Sequence, residues 1–169
     1  MEVANISMQE VSAIFEAEKD YDSKIDELEF YMSKFPLVEC PVKHVFTDFL
    51  YTRTIFMGAG TLVISMKHRC RHQYSVLAGS AWVFIDGEWE HIVAPYMGIT
   101  EAGTRRVLYI EKDCIWSTGH VIEFTAESDS EEDVAEAVMA NFDNLYVKRV
   151  NPLLGGMMIN NKLTKLIEQ

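Results

Sequence analysis

The chain has 169 residues, of which 49% are hydrophobic and 24% are charged; this composition fits one folded domain of ordinary size and argues against disorder. Its formal net charge of −11 repels a phosphate backbone, so direct nucleic-acid binding is disfavoured. Three cysteines without CxxC spacing, the lack of a signal-peptide pattern and the lack of an apolar run of about 18 residues predict a cytoplasmic protein that does not enter a membrane.

Two amphipathic helices are expected at the start of the chain. Ser7 and Glu10 have the spacing of a capping box, and apolar residues follow at helical spacing over 8–18. A second helix is predicted to begin after Ser23, with acidic residues in its first turn, and to end before Pro36. Each helix has an apolar face that is buried either across the open end of the following domain or in a dimer.

From Val42 onward the pattern changes to short runs of branched and aromatic residues that are separated by glycines. This pattern is typical of an all-β sandwich or barrel. The Asp-Gly dipeptide at 86–87 predicts a tight hairpin turn, because both central positions of a type I′ turn need positive φ. The hairpin implies two cross-strand pairs, Phe84 with Trp89 and Trp82 with His91.

The segment 67–74, K-H-R-C-R-H-Q-Y, concentrates residues with metal-binding chemistry. On a strand, side chains alternate between faces, so His68, Cys70, His72 and Tyr74 are expected on one face and the basic residues on the other. Successive positions on one face are about 6 to 7 Å apart. The two imidazoles and the thiol can therefore converge on one ion or ligand if the strand curves. The alternative is a hydrogen-bonded pair of core histidines.

Another tight connection is predicted at 111–114. The resulting hairpin would lay Arg105 and Arg106 alongside Gly119 and His120. His120 is therefore expected near the basic pair.

The end of the chain reads as helical. Carboxylates after Ser130 mark a helix start, and the helix is expected to bury one stripe of apolar residues, Val134, Val138, Phe142 and Leu145. A final short helix is expected near the C-terminus. The chain thus divides into a helical extension over 1–36, a β domain over 37–127 and a helical segment over 128–169.

The order of the β segments resembles that of small single-domain cupins, particularly uncharacterised cupin-like proteins of bacteriophages. The likeness runs from about His44 to Glu127 and rests on Y-T-R-T-I-F-M-G-A-G-T-L-V-I-S-M-K-H-R-C-R-H, L-A-G-S-A-W-V-F-I-D-G-E-W-E-H-I-V-A-P and E-A-G-T-R-R-V-L-Y-I-E-K-D-C-I-W-S-T-G-H. The resemblance implies a cupin-type double-stranded β-helix, which is a small barrel that holds a metal or a small ligand, usually with three histidines and a glutamate.

The chain departs from the cupin pattern at two places. Val76 and Leu77 stand where the first motif has its glutamate, and Arg106 stands where the second motif has its histidine. A guanidinium cannot ligate a metal, but it holds an anionic group well. The metal ligands that the resemblance implies are His68, His72 and His120, with Cys70 as a conditional fourth partner.

Such a ligand set suits a divalent transition metal, here Zn, Fe, Ni or Mn. An anionic ligand beside the metal would be bound by arginines and hydrogen-bonded by tyrosines, the candidates being Arg53, Tyr74, Arg105, Arg106 and Tyr109. The alternative for the arginines is that they are solvated charges on the strands.

The function expected from these residues is binding of a divalent metal and a small anionic ligand inside a cupin-like barrel. Catalysis is left open; an enzyme of this kind would be a metal-dependent oxygenase, isomerase or epimerase acting on a small molecule. The alternatives are a non-catalytic protein that binds or sequesters a small molecule, and a phage assembly or structural protein with a filled barrel. The expected partners are the small-molecule ligand and a second copy in a homodimer, without nucleic acid or membrane; a phage-encoded chain would act in the host cytoplasm.

Overall fold

A computed structural model describes residues 20–36, 38–85 and 87–122, together with Gln9 and Leu145. Apart from those two isolated helical residues, the described ranges form one helix, α1 (Tyr21–Met32), and seven strands: β1 (Val42–Thr47), β2 (Leu50–Met57), β3 (Leu62–Ile64), β4 (His72–Ile85), β5 (Glu88–Val93), β6 (Tyr96–Thr100) and β7 (Val107–Val121). The mainly β class predicted from the sequence is confirmed. The rest of the predicted helix over 8–18, Asp86 of the predicted turn and most of the C-terminal segment lie outside the described residues.

All strand pairs are antiparallel, and the sheet has the order β1-β2-β7-β4-β5, with β3 added to β7 and β6 added to β4. The long strands β4 and β7 pair with each other along much of their length. The first part of β4 pairs with β6 and its second part with β5, whereas β7 pairs first with β3 and then with β2. Each long strand therefore belongs to two groups of neighbours, and the sheet folds over on itself around the core.

The hairpin predicted around 86–87 is confirmed by its register. Phe84 lies opposite Trp89, and Trp82 lies opposite His91. The ring centroids of Trp82 and His91 are 4.4 Å apart in a stacked arrangement. His91 is thus a packing residue on this hairpin, as the sequence indicated.

The tight connection predicted at 111–114 is wrong, because β7 runs through these residues without a turn. The polar residues there lie opposite an irregular stretch of β4, where the register shifts on both sides of Gly79. Gly79 has a φ of 79°, and a Cβ at this position would overlap the carbonyl of Asp113. The close approach of β4 and β7 at Gly79, not a hairpin turn, explains why the strand pattern is interrupted at 111–114.

α1 packs on the outside of the sheet. Asp20 caps the helix, since its carboxylate accepts from the Ser23 backbone N–H at 3.1 Å, so α1 begins at Tyr21, earlier than predicted. Ile25 and Leu28 are completely buried in a cluster that also contains Leu62, Ile64, Phe84 and Val107. Each fully buried aliphatic side chain stabilises the fold by about 1.5 to 3 kcal/mol. Among the described residues, no helix has the length and apolar character needed to span a membrane.

The main core lies between the folded halves of the sheet. Its members include residues from β2, β4, β5 and β7, namely Ile55, Met57, Val76, Ala81, Val83, Ile92, Leu108, Ile110, Cys114 and Trp116. This apolar layer fills one part of the barrel. The inward-facing residues next to it along β1, β2, β4 and β7 are polar.

Candidate metal centre

Inward-facing side chains of β2, β7 and β4 form a row across the barrel. Tyr51 on β2 lies opposite His120 on β7, and the pairing of Gln73 with Gly119 places the preceding residue of β4, His72, beside His120. Directly opposed residues of antiparallel strands have Cβ atoms about 4.5 to 5.5 Å apart. Strand register therefore brings two histidines that are far apart in sequence into contact.

His68 reaches the same place from the connection between β3 and β4. Its backbone N–H donates to the carbonyl of Thr104 at 3.2 Å, and its own carbonyl accepts from the N–H of Gly103 at 2.7 Å. The chain then bends at 69–70, and β4 begins only at His72. The predicted strand alternation through 67–74 is therefore wrong between the two histidines, although both side chains point inward.

The bend removes Cys70 from the candidate ligands that the structure brings together. The backbone N–H of the preceding residue, Arg69, donates to the carbonyl of Leu145 at 2.8 Å, which fixes the bend. Cys70 is exposed, whereas His68 and His72 are buried. The predicted fourth partner lies outside the histidine cluster.

His68, His72 and His120 form a compact cluster, and one ring nitrogen from each lies within 4.8 Å of the others. The ring centroids are 4.2 Å apart for His68 and His72, 4.3 Å for His72 and His120, and 5.7 Å for His68 and His120. Two nitrogens that bind one ion at about 2.1 Å are at most about 4.2 Å apart. A small side-chain rotation would bring any wider pair onto a shared ion.

Burial keeps these imidazoles neutral. It is the main reason why the pKa of His68 falls to about 2 and that of His120 to about 3, and it also lowers the pKa of His72. Nδ1 of His72 lies 3.1 Å from the carbonyl oxygen of Cys70, which can only accept a hydrogen bond. Nδ1 therefore carries the proton, and Nε2 of His72 presents its lone pair, the form in which histidine binds metals.

Tyr51 and His44 extend the cluster on the β2 side, and neither was singled out from the sequence. Tyr51 stacks on His120 with centroids 5.9 Å apart, and its hydroxyl lies 2.7 Å from Nδ1 of His44. Burial, with a smaller effect of Arg53, lowers the pKa of His44 to about 4. Only the register of the β1–β2 hairpin brings these residues here, and local spacing carries no sign of it.

Two of the predicted anion-binding residues lie beside the cluster. Arg53 occupies the row next to Tyr51 and His120, opposite His44 on one side and Thr118 on the other. Arg106 enters from the loop before β7, and its guanidinium lies 4.6 Å from the ring centroid of Tyr74. Burial and the other two histidines lower the pKa of His68 most, and the charges of Arg106 and Arg53 lower it further.

Tyr74, a third predicted anion-binding residue, forms the wall below Arg106. Its ring is buried and stacks on Trp116 with centroids 4.7 Å apart and an interplanar angle of 6°. Burial raises the pKa of Tyr74 to about 12. The phenol is therefore protonated at neutral pH and can act as a hydrogen-bond donor.

The structure places the other two predicted anion-binding residues away from the histidines. Arg105 points toward α1, where its guanidinium lies 2.7 Å from carboxylate oxygens of both Asp26 and Glu29. Tyr109 packs against the cluster that buries α1. Arg105 and Arg106 both lie in the loop before β7, yet Arg105 pairs with carboxylates of α1 whereas Arg106 rests on Tyr74.

Solved structures that align with this chain include cupin and double-stranded β-helix proteins. An RmlC-like cupin family protein from Methanocaldococcus jannaschii is 9% identical, with a TM-score of 0.43, and the alignment covers 50% of this chain and 81% of that one. The cupin domain of an XRE family transcriptional regulator from Enterobacter cloacae is 18% identical, with a TM-score of 0.44, and the alignment covers 50% of this chain and 99% of that one. An uncharacterised conserved protein with a double-stranded β-helix domain from Klebsiella pneumoniae is 16% identical, with a TM-score of 0.43 and coverage of 49% and 77%.

No protein-family model and no curated protein matches the sequence. The likeness to solved structures concerns the arrangement of the strands, and it says nothing about the ligands of this chain.

Proposed function

We propose that this chain binds one divalent transition metal through His68, His72 and His120 in a cupin-like barrel, and a small anionic ligand beside the metal. The observation that carries the proposal is the convergence of three buried imidazoles with ligand nitrogens within 4.8 Å of one another. Burying three neutral imidazoles in a core without a ligand is unfavourable, because each imidazole needs hydrogen bonds that an apolar side chain does not need.

The donor set indicates which metals fit. Imidazole nitrogen suits Zn, Fe and Ni, whereas Mn prefers oxygen ligands. Among the described residues, the candidate ligand group contains no carboxylate, which favours Zn, Fe or Ni over Mn. Three protein ligands also leave coordination positions open for water or a ligand, as in catalytic metal sites.

The anionic part of the proposal rests on Arg53 and Arg106. Nε and Nη2 of Arg53 and Nε of Arg106 are buried and have no hydrogen-bond partner within the described part of the chain. A buried guanidinium is costly unless an anion or hydrogen-bond acceptors surround it. A bound carboxylate or phosphate would supply these acceptors in the geometry that a guanidinium prefers.

Catalysis does not follow from these residues alone. A metal at this position would supply Lewis-acid chemistry, and the chain would hold the substrate anion with its arginines and donate a hydrogen bond from Tyr74. With no carboxylate in the cluster, a general base would have to be a histidine. A non-catalytic small-molecule-binding protein is the second candidate, because the buried arginine donors need an anion whether or not a reaction follows.

The metal proposal is tested by elemental analysis of the purified protein. Wild type should contain close to one metal ion per chain, His72→Ala should contain much less, and replacement of all three histidines should abolish binding. The matched control is His91→Ala, which removes a half-exposed histidine outside the cluster. Thermal melting of each variant checks that the barrel is folded, since apolar burial supplies most of its stability. Equal metal content in wild type and the triple variant would contradict the proposal.

A further inference from the structure

The two arginines lie in the row next to the histidines, on either side of β7. Arg53 of β2 and Tyr74 of β4 both lie opposite Thr118 of β7. The guanidinium of Arg106 rests on the ring of Tyr74, 4.6 Å from its centroid. One strand therefore separates Arg53 from the residue that carries Arg106, which is about 10 Å between the two backbones.

Each arginine is held in place by the fold. The backbone of Arg106 forms two hydrogen bonds with Ser65, at 2.8 Å to its hydroxyl and 2.9 Å from its N–H. One terminal nitrogen of Arg106 donates to the carbonyl of Ile99 at 3.2 Å, and the guanidinium rests on the ring of Tyr74. The carbonyl of Arg53 lies 3.4 Å from the hydroxyl of Thr118, which donates to it. These contacts fix the guanidinium of Arg106 and the backbone of Arg53, and both side chains still have buried N–H donors without a partner in the described part of the chain.

No internal anion balances these charges in the described part of the chain. Neither Arg53 nor Arg106 forms an ion pair with a described carboxylate, in contrast to Arg105. Glu90 raises the pKa of Arg106 only through its charge, without a hydrogen bond, and Glu90 is itself exposed. With a divalent metal bound, two guanidinium groups and the ion would place four positive charges in one water-poor space, which is strongly unfavourable without anions.

We propose that the ligand is a small dicarboxylate whose two carboxylates are bound separately, one by Arg53 and the other by Arg106, beside the histidine cluster. The inference extends the proposed function, since it names the class of the anion. Two arginines that β7 separates match two separated carboxylates better than one, because each guanidinium pairs with one carboxylate through parallel hydrogen bonds. A monoanion would leave one arginine unpaired.

The experiment compares dicarboxylates with their half-amides, which have the same length and one charge fewer. Binding of malonate, succinate and glutarate, and of each half-amide, is measured by calorimetry on metal-loaded protein and on protein treated with a chelator. Wild type should bind at least one dicarboxylate about tenfold or more tightly than its half-amide, because the second ionic pair is lost in the half-amide. Equal affinity for every pair, or no binding at all, would overturn the proposal.

The variants Arg53→Gln and Arg106→Gln test whether each arginine binds one carboxylate of the ligand. Each should weaken dicarboxylate binding about tenfold or more and remove the preference over the half-amide. The control Arg71→Gln removes an exposed arginine whose ion pair with Glu101 is also exposed, so it should leave both affinities unchanged. If a glutamine variant does not fold, Arg53→Lys and Arg106→Lys keep the charge and should retain part of the preference. A preference that persists in both folded glutamine variants would contradict the two-arginine site.

Metal analysis of the same samples separates the two proposals. Protein without metal that still prefers dicarboxylates would contradict the metal centre and support the arginine pair. Metal-loaded protein without this preference would support the metal centre and overturn the arginine pair.

Discussion

Burial makes the clustered histidines weak bases, and this has a consequence for stability. An unfolded histidine titrates near its ordinary value of 6.5, whereas the pKa in the folded protein is about 2 for His68 and about 3 for His120. Between these values the unfolded chain binds protons that the folded chain does not. Stability is therefore complete above pH 6.5 and is lost as the pH falls toward the folded pKa values.

The metal-free protein should accordingly lose stability as the pH falls from 6.5 to 5, a window above the range in which most carboxylates titrate. Each of the two histidines contributes up to about 1.4 kcal/mol per pH unit. Urea denaturation at several pH values measures the slope. In the double variant His68→Gln/His120→Gln, the unfolding free energy should depend less steeply on pH. The stability of this variant at pH 8 measures separately any loss of packing. An unchanged slope would mean that the imidazoles are protonated in the folded protein.

The sequence singled out His68, His72 and His120, but it could not show why they meet. His120 was placed by a turn that does not exist, and its true neighbours follow from the register of β2, β7 and β4. Cys70 was grouped with the histidines by strand alternation, which fails where the backbone bends. Spacing along one segment shows which side chains have the right chemistry, whereas pairing between distant segments decides which of them converge.

The close approach of β4 and β7 at Gly79 requires a residue without a side chain. Gly79 and Gly60 share a φ of 79°, but a Cβ would overlap the carbonyl of Asp113 only at Gly79 and would meet nothing within 4 Å at Gly60. Both substitutions to alanine force an L-residue into the left-handed region, which costs about 1 to 3 kcal/mol. Only one of them also requires the two long strands to separate.

Gly79→Ala should therefore destabilise the protein clearly more than Gly60→Ala, by about 2 kcal/mol or more beyond the shared backbone cost. Urea denaturation of both variants gives the comparison, with Gly60→Ala serving as the matched control. Equal losses would show that the strands at Gly79 can move apart without cost.

The sequence predicts strand positions well wherever one strand has a regular alternating pattern. It predicts the ends of helices and strands less well. The Trp82 to His91 hairpin follows from alternation and a turn dipeptide, which are local signals. The uninterrupted course of β7 depends on its contact with Gly79 of β4, 34 positions away from Asp113 in the numbering of the chain. A signal of this kind is absent from either segment taken alone.

One outer face of the barrel is unusual for a chain with a net charge of −11. The outward positions of β2, of β7 from Ile115 to Val121, of β4 from Gln73 to Leu77 and of β6 carry no charged residue; they are Leu50, Thr52, Thr54, Phe56, Ile115, Ser117, Gly119, Val121, Gln73, Ser75, Leu77, Met97 and Ile99. Met97 is 71% exposed and Leu77 is 59% exposed. Large apolar side chains that are exposed together on one face of a soluble protein generally mark an interaction site. Two negatively charged copies would meet with least repulsion through this face.

We therefore expect a homodimer that associates through this uncharged face, which light scattering after size-exclusion chromatography would detect. Met97→Glu and Leu77→Glu should each convert it to a monomer, because a carboxylate buried in an uncharged interface has no partner there. Val93→Glu is the matched control, since Val93 is 53% exposed on β5, outside this set of strands, and it should remain dimeric. A monomeric wild type would contradict the expectation outright, whereas a dimer that persists in both face variants would show that a different surface joins the two copies.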